Sequence, residues 1–213
     1  GSRSKTAWLF SPRARQTKPP RSSRQGHHTV KPMTGSSTGA SGTIDVEWRD
    51  INLSVQLGKK DKVFEKPILR GVNGCAKPGE VLAIMGPSGA GKTSLLNVLA
   101  GRTFPNSGGI FFNGSPMQAG NSRRIAYVHQ QEMLLASLTP REHLVFQCRL
   151  RMPEEVGQVD RLKRIVESIN MFGLEKCQDR LIGDVWGGIS KNEKRRLCFA
   201  TEVLTDPAVL FAD

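Results

Sequence analysis

Gly86-Pro87-Ser88-Gly89-Ala90-Gly91-Lys92-Thr93 fills every fixed position of the pattern G-x-x-x-x-G-K-[ST]. Its flanks decide what the octet is. Lys77-Pro78-Gly79-Glu80 makes a turn, Val81-Leu82-Ala83-Ile84-Met85 reads as a fully buried strand, and Ser94-Leu95-Leu96-Asn97-Val98-Leu99-Ala100 reads as a helix ended by Gly101. A strand, a glycine-rich loop and a helix in immediate succession separate this stretch from an accidental glycine turn. The residue types follow from the chemistry of a triphosphate. It must be surrounded by backbone N–H groups at close range, and glycine lets the chain bend with no Cβ in the way. On this reading the backbone from Gly86 to Ser94 cradles phosphates and Lys92 reaches the β and γ oxygens. Thr93 places a hydroxyl on Mg²⁺, and the helix aims its positive N-terminal end at the anion. The motif specifies a nucleotide and leaves the reaction open.

Upstream, Val46, Trp48, Ile51, Leu53 and Val55 alternate loosely with polar residues, and a gap containing Gly58 to Asp61 leads to Ile68-Leu69. This is the pattern of half-buried antiparallel strands. Further back the composition changes. Residues 1–43 carry eight Lys or Arg and no Asp or Glu, with Trp8-Leu9-Phe10 as their only apolar knot. That is too little apolar surface to offset the entropy of ordering the segment, so it reads as a disordered basic tail. An organellar transit peptide or an anion-binding arm shares this composition, and an inert solvated tail is the plainer alternative. The net charge of +12 over 213 residues therefore belongs mostly to the tail, since 23 basic and 19 acidic residues remain for the rest. A nucleic-acid-binding face is not what this balance describes. No uncharged apolar run approaches the roughly 18 residues of a membrane span. Cys75, Cys148, Cys177 and Cys198 lie far apart, and His27, His28, His129 and His143 offer no metal-site spacing, which fits a reducing compartment.

Downstream, 121 positions separate Lys92 from Asp213. The interval reads as helices. One runs from Arg141 to Arg151 after Leu138-Thr139-Pro140, and Val159, Leu162, Ile165, Val166, Ile169 and Phe172 stand at helical spacing before Gly173. That stripe is core packing. Ala208-Val209-Leu210-Phe211-Ala212 reads as a buried strand, and a chain that starts at Gly1 and stops at Asp213 directly after it is expected to be a piece of something longer.

With these elements in place the chain from about Asp45 to Asp213 resembles the ATP-binding domain of ABC transporters. Arg124-Ile125-Ala126-Tyr127-Val128-His129-Gln130 is similar to the family's strand and Q-loop; Gln130 aligns with the glutamine that senses Mg²⁺ and the γ-phosphate, with Gln131 as a nearby rival. Ala208 to Asp213 looks like the Walker B strand, with Asp213 as the carboxylate that holds Mg²⁺ through water. It comes 23 residues after Ser190, the family's usual separation from its signature serine. Ile84-Met85 with the glycine-rich octet, Ser137-Leu138-Thr139-Pro140-Arg141-Glu142-His143-Leu144, Arg151-Met152-Pro153 and Cys198-Phe199-Ala200-Thr201-Glu202-Val203-Leu204-Thr205-Asp206-Pro207 are close to subfamily G, the White pigment-precursor type.

The resemblance implies an α/β P-loop NTPase fold with an antiparallel β subdomain, a RecA-like core and an inserted helical subdomain over about 132–205. Residues 44–213 would form the ATP-binding domain. It implies ATP and Mg²⁺ as cofactors, with Thr93, Gln130 and Asp213 toward the metal and Phe64 as the candidate adenine-stacking aromatic. It also implies a half-transporter that pairs with a second one and carries its own C-terminal membrane domain. Such a protein is multi-pass, has its ATP-binding domain in the cytoplasm, and moves a hydrophobic or amphipathic small molecule or lipid.

Two features depart from the family pattern. The signature S-G-G-[EQ] appears as Ser190-Lys191-Asn192-Glu193. Ser190 and Glu193 still form a capping box that opens a helix through Leu204, and the basic cluster from Lys191 to Arg196 reads as a solvated helix face. Side chains at 191 and 192, however, stand where a phosphate would need close backbone contact, and the flexible ammonium of Lys191 does not reproduce a rigid N–H. The composite ATP site that uses this signature is therefore expected to be weakened or silent. The second departure is length. The family's water-polarising Glu follows the Walker B Asp, so no catalytic base is present here and it is expected after Asp213. The strand between the Walker A and Walker B strands also comes later in such proteins, so the sheet is expected to be incomplete and the piece prone to aggregate. Two other functions remain open at this point: a nucleotide-binding regulatory pseudo-ATPase, suggested by the signature, and a soluble ABC-type ATPase acting on nucleic acid or ribosomes, suggested by the tail. The mild charge of residues 44–213 speaks against the latter, and nucleic acid is not an expected partner.

Overall fold

A computed structural model describes residues 5–10, 44–58, 64–118, 124–183 and 187–213. Its elements are β1 (Lys5–Phe10), β2 (Val46–Leu57), β3 (Phe64–Ala76), β4 (Val81–Gly86), α1 (Lys92–Leu99), β5 (Ser107–Phe112), β6 (Ser115–Pro116), β7 (Ile125–Val128), α2 (Pro140–Arg151), α3 (Gln158–Met171), α4 (Lys191–Val203) and β8 (Val209–Ala212). They form two four-stranded sheets, ordered β4-β1-β8-β7 and β3-β2-β5-β6. No helix among the described residues is long and apolar enough to cross a membrane.

The second sheet is antiparallel throughout, as the alternation at residues 46–55 predicts. The alternation is loose for a structural reason. Val46 and Trp48 are buried, and so are Ile51 and Leu53, so the inward face changes parity along β2. The register slips between Trp48 and Ile51, where Asp50 takes a positive φ of 50° and donates its N–H to Asn73 Oδ1 at 2.9 Å. One extra residue in a strand turns the following side chains to the other face. Trp48 lies opposite Gly74, and a Cβ there would come within 2.4 Å of the indole, so glycine makes room for the ring. Asn113 and Gly114, both with positive φ, form the two-residue link from β5 to β6, where mirror-image turns match strand twist.

α1 buries Leu95, Leu96, Val98 and Leu99 in one core with Val46, Trp48, Ile51, Leu69, Phe112, Tyr127 and Phe211. A second core holds the helical part together, from Leu144 and Cys148 of α2 through Ile165 and Ile169 of α3 to Leu197 and Ala200 of α4. The stripe at 159–172 splits on closer view: Ile165 and Ile169 are buried, whereas Val159, Leu162 and Val166 are exposed. A third, smaller core packs Cys198, Phe199 and Val203 of α4 onto Ala126, Val128, Leu210 and Ala212 of β7 and β8.

The first sheet corrects two expectations. The tail was expected to be disordered throughout, yet Lys5–Phe10 forms β1 and pairs antiparallel with β4 and with β8. The rest of that expectation falls on residues 1–4 and 11–43, outside the described residues. Because β1 is antiparallel to both neighbours, β4 and β8 run parallel to each other, and β7 is parallel to β8. The position between β4 and β8, expected to be empty, is thus filled from the N-terminal side of the sequence. An apolar tripeptide too small to build a core of its own can still be ordered when two strands with unpaired backbone groups offer it a place. β4, expected to be fully buried, leaves Val81 and Met85 exposed, and among the described residues it stands at the end of its sheet beside β1. β8 is buried along its whole length, as read from its sequence.

Candidate functional site

The glycine-rich loop joins β4 to α1, and its conformation depends on two glycines. Gly89 and Gly91 have φ of 82° and 89°, left-handed values that suit glycine. Gly91 carries a second constraint, since a Cβ there would stand 3.1 Å from Leu69 Cδ2 and 3.2 Å from the carbonyl oxygen of Ile68. The loop is therefore seated against β3. Ala90 donates its N–H to the Pro87 carbonyl at 3.2 Å, closing a turn over Ser88 and Gly89.

α1 starts differently from α2 and α4, and shares a glycine cap with α3, whose first turn, unlike that of α1, carries Asp160. Thr139 and Ser190 open α2 and α4 with full capping boxes, each hydroxyl accepting an N–H while Glu142 or Glu193 reaches back. At α1 the cap is Gly91, no side chain bonds the first turn, and that turn holds no acidic residue. First-turn N–H groups without a side-chain cap, at the positive end of a helix, suit an anion. Lys92 arches back over the loop, its Nζ donating to the Gly86 carbonyl at 2.8 Å and the Pro87 carbonyl at 2.7 Å.

Across from α1, the Thr93 hydroxyl donates to Asp213 Oδ1 at 3.0 Å, which brings together two residues 120 positions apart. Asp213 follows β8, and its N–H donates to the Val128 carbonyl at 3.0 Å, so the ends of β7 and β8 stay in register. A hydroxyl and a carboxylate in contact are hard oxygen donors of the kind Mg²⁺ takes. Gln130 lies exposed two residues beyond β7. Its rival Gln131 lines a separate cavity of about 290 Å³ with Tyr127, His143, Cys198 and Glu202.

Two arginines not singled out by the sequence meet at this end of the sheet. Arg102, just after α1, lies 4.5 Å over the Tyr127 ring and contacts His129 Nε2 at 2.8 Å. Guanidinium only donates, so this nitrogen is an acceptor and His129 is neutral. Burial first, then the Arg102 charge, holds its pKa below the usual 6.5. Burial, with the Asp213 carboxylate, pushes the Tyr127 phenol up to about 12. Arg195 of α4 donates to the main-chain carbonyls of His129 and Asp213. It belongs to the cluster expected to be a solvated face, and that expectation fails for its neighbour too. Arg196 caps the end of α3, donating to the carbonyls of Phe172 at 2.9 Å and Gly173 at 2.7 Å. No sequence signal separates these arginines from solvated ones, because their partners are backbone carbonyls of distant segments.

Ser190 and Glu193 do form the capping box read from sequence, and the hydrogen bonds with Ser190 hold the Glu193 carboxyl below its ordinary range. Lys191 and Asn192 are exposed on the first turn of α4. Phe64 starts β3 opposite Leu57 and is 60% exposed, so it lies outside the core. It stands four residues from Ile68, about 13 Å along an extended strand from the part of β3 that touches the loop.

Known proteins are similar to this chain in sequence and in architecture. A family model described as "ABC transporter" matches residues 69–213. ABC transporter G family member 13 of Arabidopsis thaliana is 42% identical over 184 residues, covering 83% of this chain and 26% of that protein. Protein white of Drosophila melanogaster is 46% identical over 157 residues, covering 70% of this chain and 23% of its own length. The chain thus spans about a quarter of the length of the curated relatives it matches. Among solved structures, the dimeric structure of MJ0796, a bacterial ABC transporter cassette, superimposes with a TM-score of 0.57 at 20% identity, over 76% of this chain and 70% of that one. A second MJ0796 structure, a dimeric post-hydrolysis state bound to ADP and Pi, does so at 0.56 and 21% identity.

Proposed function

Because this chain belongs to the ABC transporter family, we propose that it is the ATP-binding part of a subfamily G half-transporter, which couples ATP binding and hydrolysis to moving a hydrophobic or amphipathic solute across a membrane. The observation that carries the nucleotide part is the side-chain-uncapped start of α1 behind the loop, with Lys92 arched over it and Thr93 touching Asp213.

The backbone of Gly86, Pro87, Ser88, Gly89, Ala90 and Gly91, continued by Lys92, Thr93 and Ser94, binds the phosphates of ATP. Lys92 exchanges its two carbonyl partners for phosphate oxygens. Thr93, Gln130 and Asp213 are the residues that would hold Mg²⁺, whose charge neutralises that developing on the phosphoryl group when it is bound. What these residues contribute to phosphoryl transfer is positioning and electrostatics. The base that activates water is expected beyond Asp213. Phe64 is kept as the adenine-stacking candidate; contact with the base would require the β2–β3 end to approach the loop.

Residues 44–213 are the ATP-binding domain, with a helical subdomain at about 132–205. The partners are a second half-transporter, the protein's own C-terminal membrane domain and the transported molecule, with the ATP-binding domain in the cytoplasm. In the full-length protein, binding of a fluorescent ATP analogue with Mg²⁺ is expected to be saturable and to be lost in Lys92→Ala. Equal binding by that variant would overturn the assignment.

Lys191 and Asn192 favour a second reading of the same site, in which the composite site completed by this signature binds nucleotide with little or no turnover. Restoring glycine at both positions is expected to raise ATP turnover, and unchanged turnover would remove this reading.

A further inference from the structure

We infer that Arg195 is a positioning residue for the metal end of the proposed ATP site, fixing the main chains that carry Gln130 and Asp213. The inference rests on the ATP and Mg²⁺ reading above. The last bond between β7 and β8 is that of the Asp213 N–H to Val128, and beyond it stand the main-chain oxygens of His129 and of Asp213, the final residue of the sequence described. Both are taken by one guanidinium: Nη1 donates to His129 and Nη2 to Asp213, the latter at 2.5 Å. The planar fork holds its two nitrogens at a fixed separation, so it also fixes the separation of the two carbonyls. One of these carbonyls belongs to the residue before Gln130. The other belongs to Asp213 itself, whose carboxylate meets Thr93 at 3.0 Å.

Docking of α4 does not require this arrangement. Cys198, Phe199 and Val203 already pack the helix on β7 and β8, and Glu202 is held by Arg151 through bonds of 2.8 and 2.7 Å. Arg195 instead works at the end of the sheet where the candidate metal ligands emerge, with its Cζ 5.4 Å from the Phe199 ring. It touches neither candidate ligand's side chain and acts through the backbone.

The test uses the full-length protein with Arg195→Met, which keeps a long apolar stem and loses the donors, and Arg195→Lys, which keeps the charge but has a single nitrogen. Nucleotide binding is measured in EDTA, and Mn²⁺ binding to the nucleotide-loaded protein by electron paramagnetic resonance. The expected result for Arg195→Met is a Mn²⁺ midpoint raised about tenfold or more, as for loss of groups that orient metal ligands, with metal-free nucleotide affinity within about twofold of wild type. Arg195→Lys is expected to fall between. A Mn²⁺ midpoint unchanged in Arg195→Met, or an equal loss of metal-free nucleotide binding, would overturn the inference in favour of a purely structural role. If Arg195→Met does not fold, Arg195→Lys decides in the same way. Failure of the wild-type protein to bind nucleotide would overturn the ATP-site reading itself, and is seen before any Arg195 variant is compared.

Discussion

Glycine at 89 and at 91 answers two different demands. Both positions need left-handed backbone, but a Cβ at 89 would meet nothing within 4 Å, whereas one at 91 would press on Leu69 and Ile68. Gly91→Ala is therefore expected to destabilise by more than the roughly 1–2 kcal/mol of left-handed strain, and Gly89→Ala by about that strain alone. Denaturant unfolding of the two variants side by side checks the order. His143 illustrates a residue with no sequence signal at all. It is 1% exposed on α2, its Nδ1 has no hydrogen-bond partner, and burial holds its pKa below 6.5. A folded-state value below the unfolded one means that its contribution to stability is fully present above pH 6.5 and is lost as pH falls through 6.5 toward the folded value. The unfolding midpoint is expected to drop across that window, and His143→Gln to flatten the drop. An equally steep drop in the variant would assign the pH dependence to other groups.

At the level of elements, the helical part is joined to the strands through polar contacts as well as apolar ones. Glu202 of α4 accepts a two-pronged ion pair from Arg151 of α2 and an N–H from Tyr127 of β7 at 3.3 Å, so one carboxylate ties three elements. Its side chain is 17% exposed, which limits solvent screening. Glu202→Ala is expected to cost about 2 kcal/mol, in the range of hydrogen bonds to charged groups, and Arg151→Ala in the same background to add little. A double-mutant cycle by urea denaturation measures this. Helix limits were the most legible part of the sequence, because a capping box, a Pro at the first position and a Gly at the end are local chemistry. The Asp50 bulge was less so, since the change of inward face in β2 depends on which neighbour the strand pairs with.

Across the whole molecule, the first sheet depends on β1. Among the described residues β4 pairs with β1 alone, and β8 would keep only β7 without it. Deleting residues 1–43 from this 213-residue chain is therefore expected to expose two strand edges, broaden thermal unfolding and promote aggregation. A sharp, reversible transition for residues 44–213 would show that β1 is dispensable. The sequence by itself determined the strand-loop-helix at 81–100, the antiparallel strands before it, the helices after it and the buried strand ending at Asp213. Each of these is written in residues that are neighbours along the chain. Only the tertiary structure decided that Thr93 meets Asp213, that Arg195 clamps two strand ends, that Arg196 caps α3 and that Lys5–Phe10 enters the sheet. Thr93 and Asp213 meet through their side chains, and along the chain only the family resemblance places both toward one metal; the other contacts join distant segments through backbone groups common to every residue, so side-chain identity carries no record of the partner.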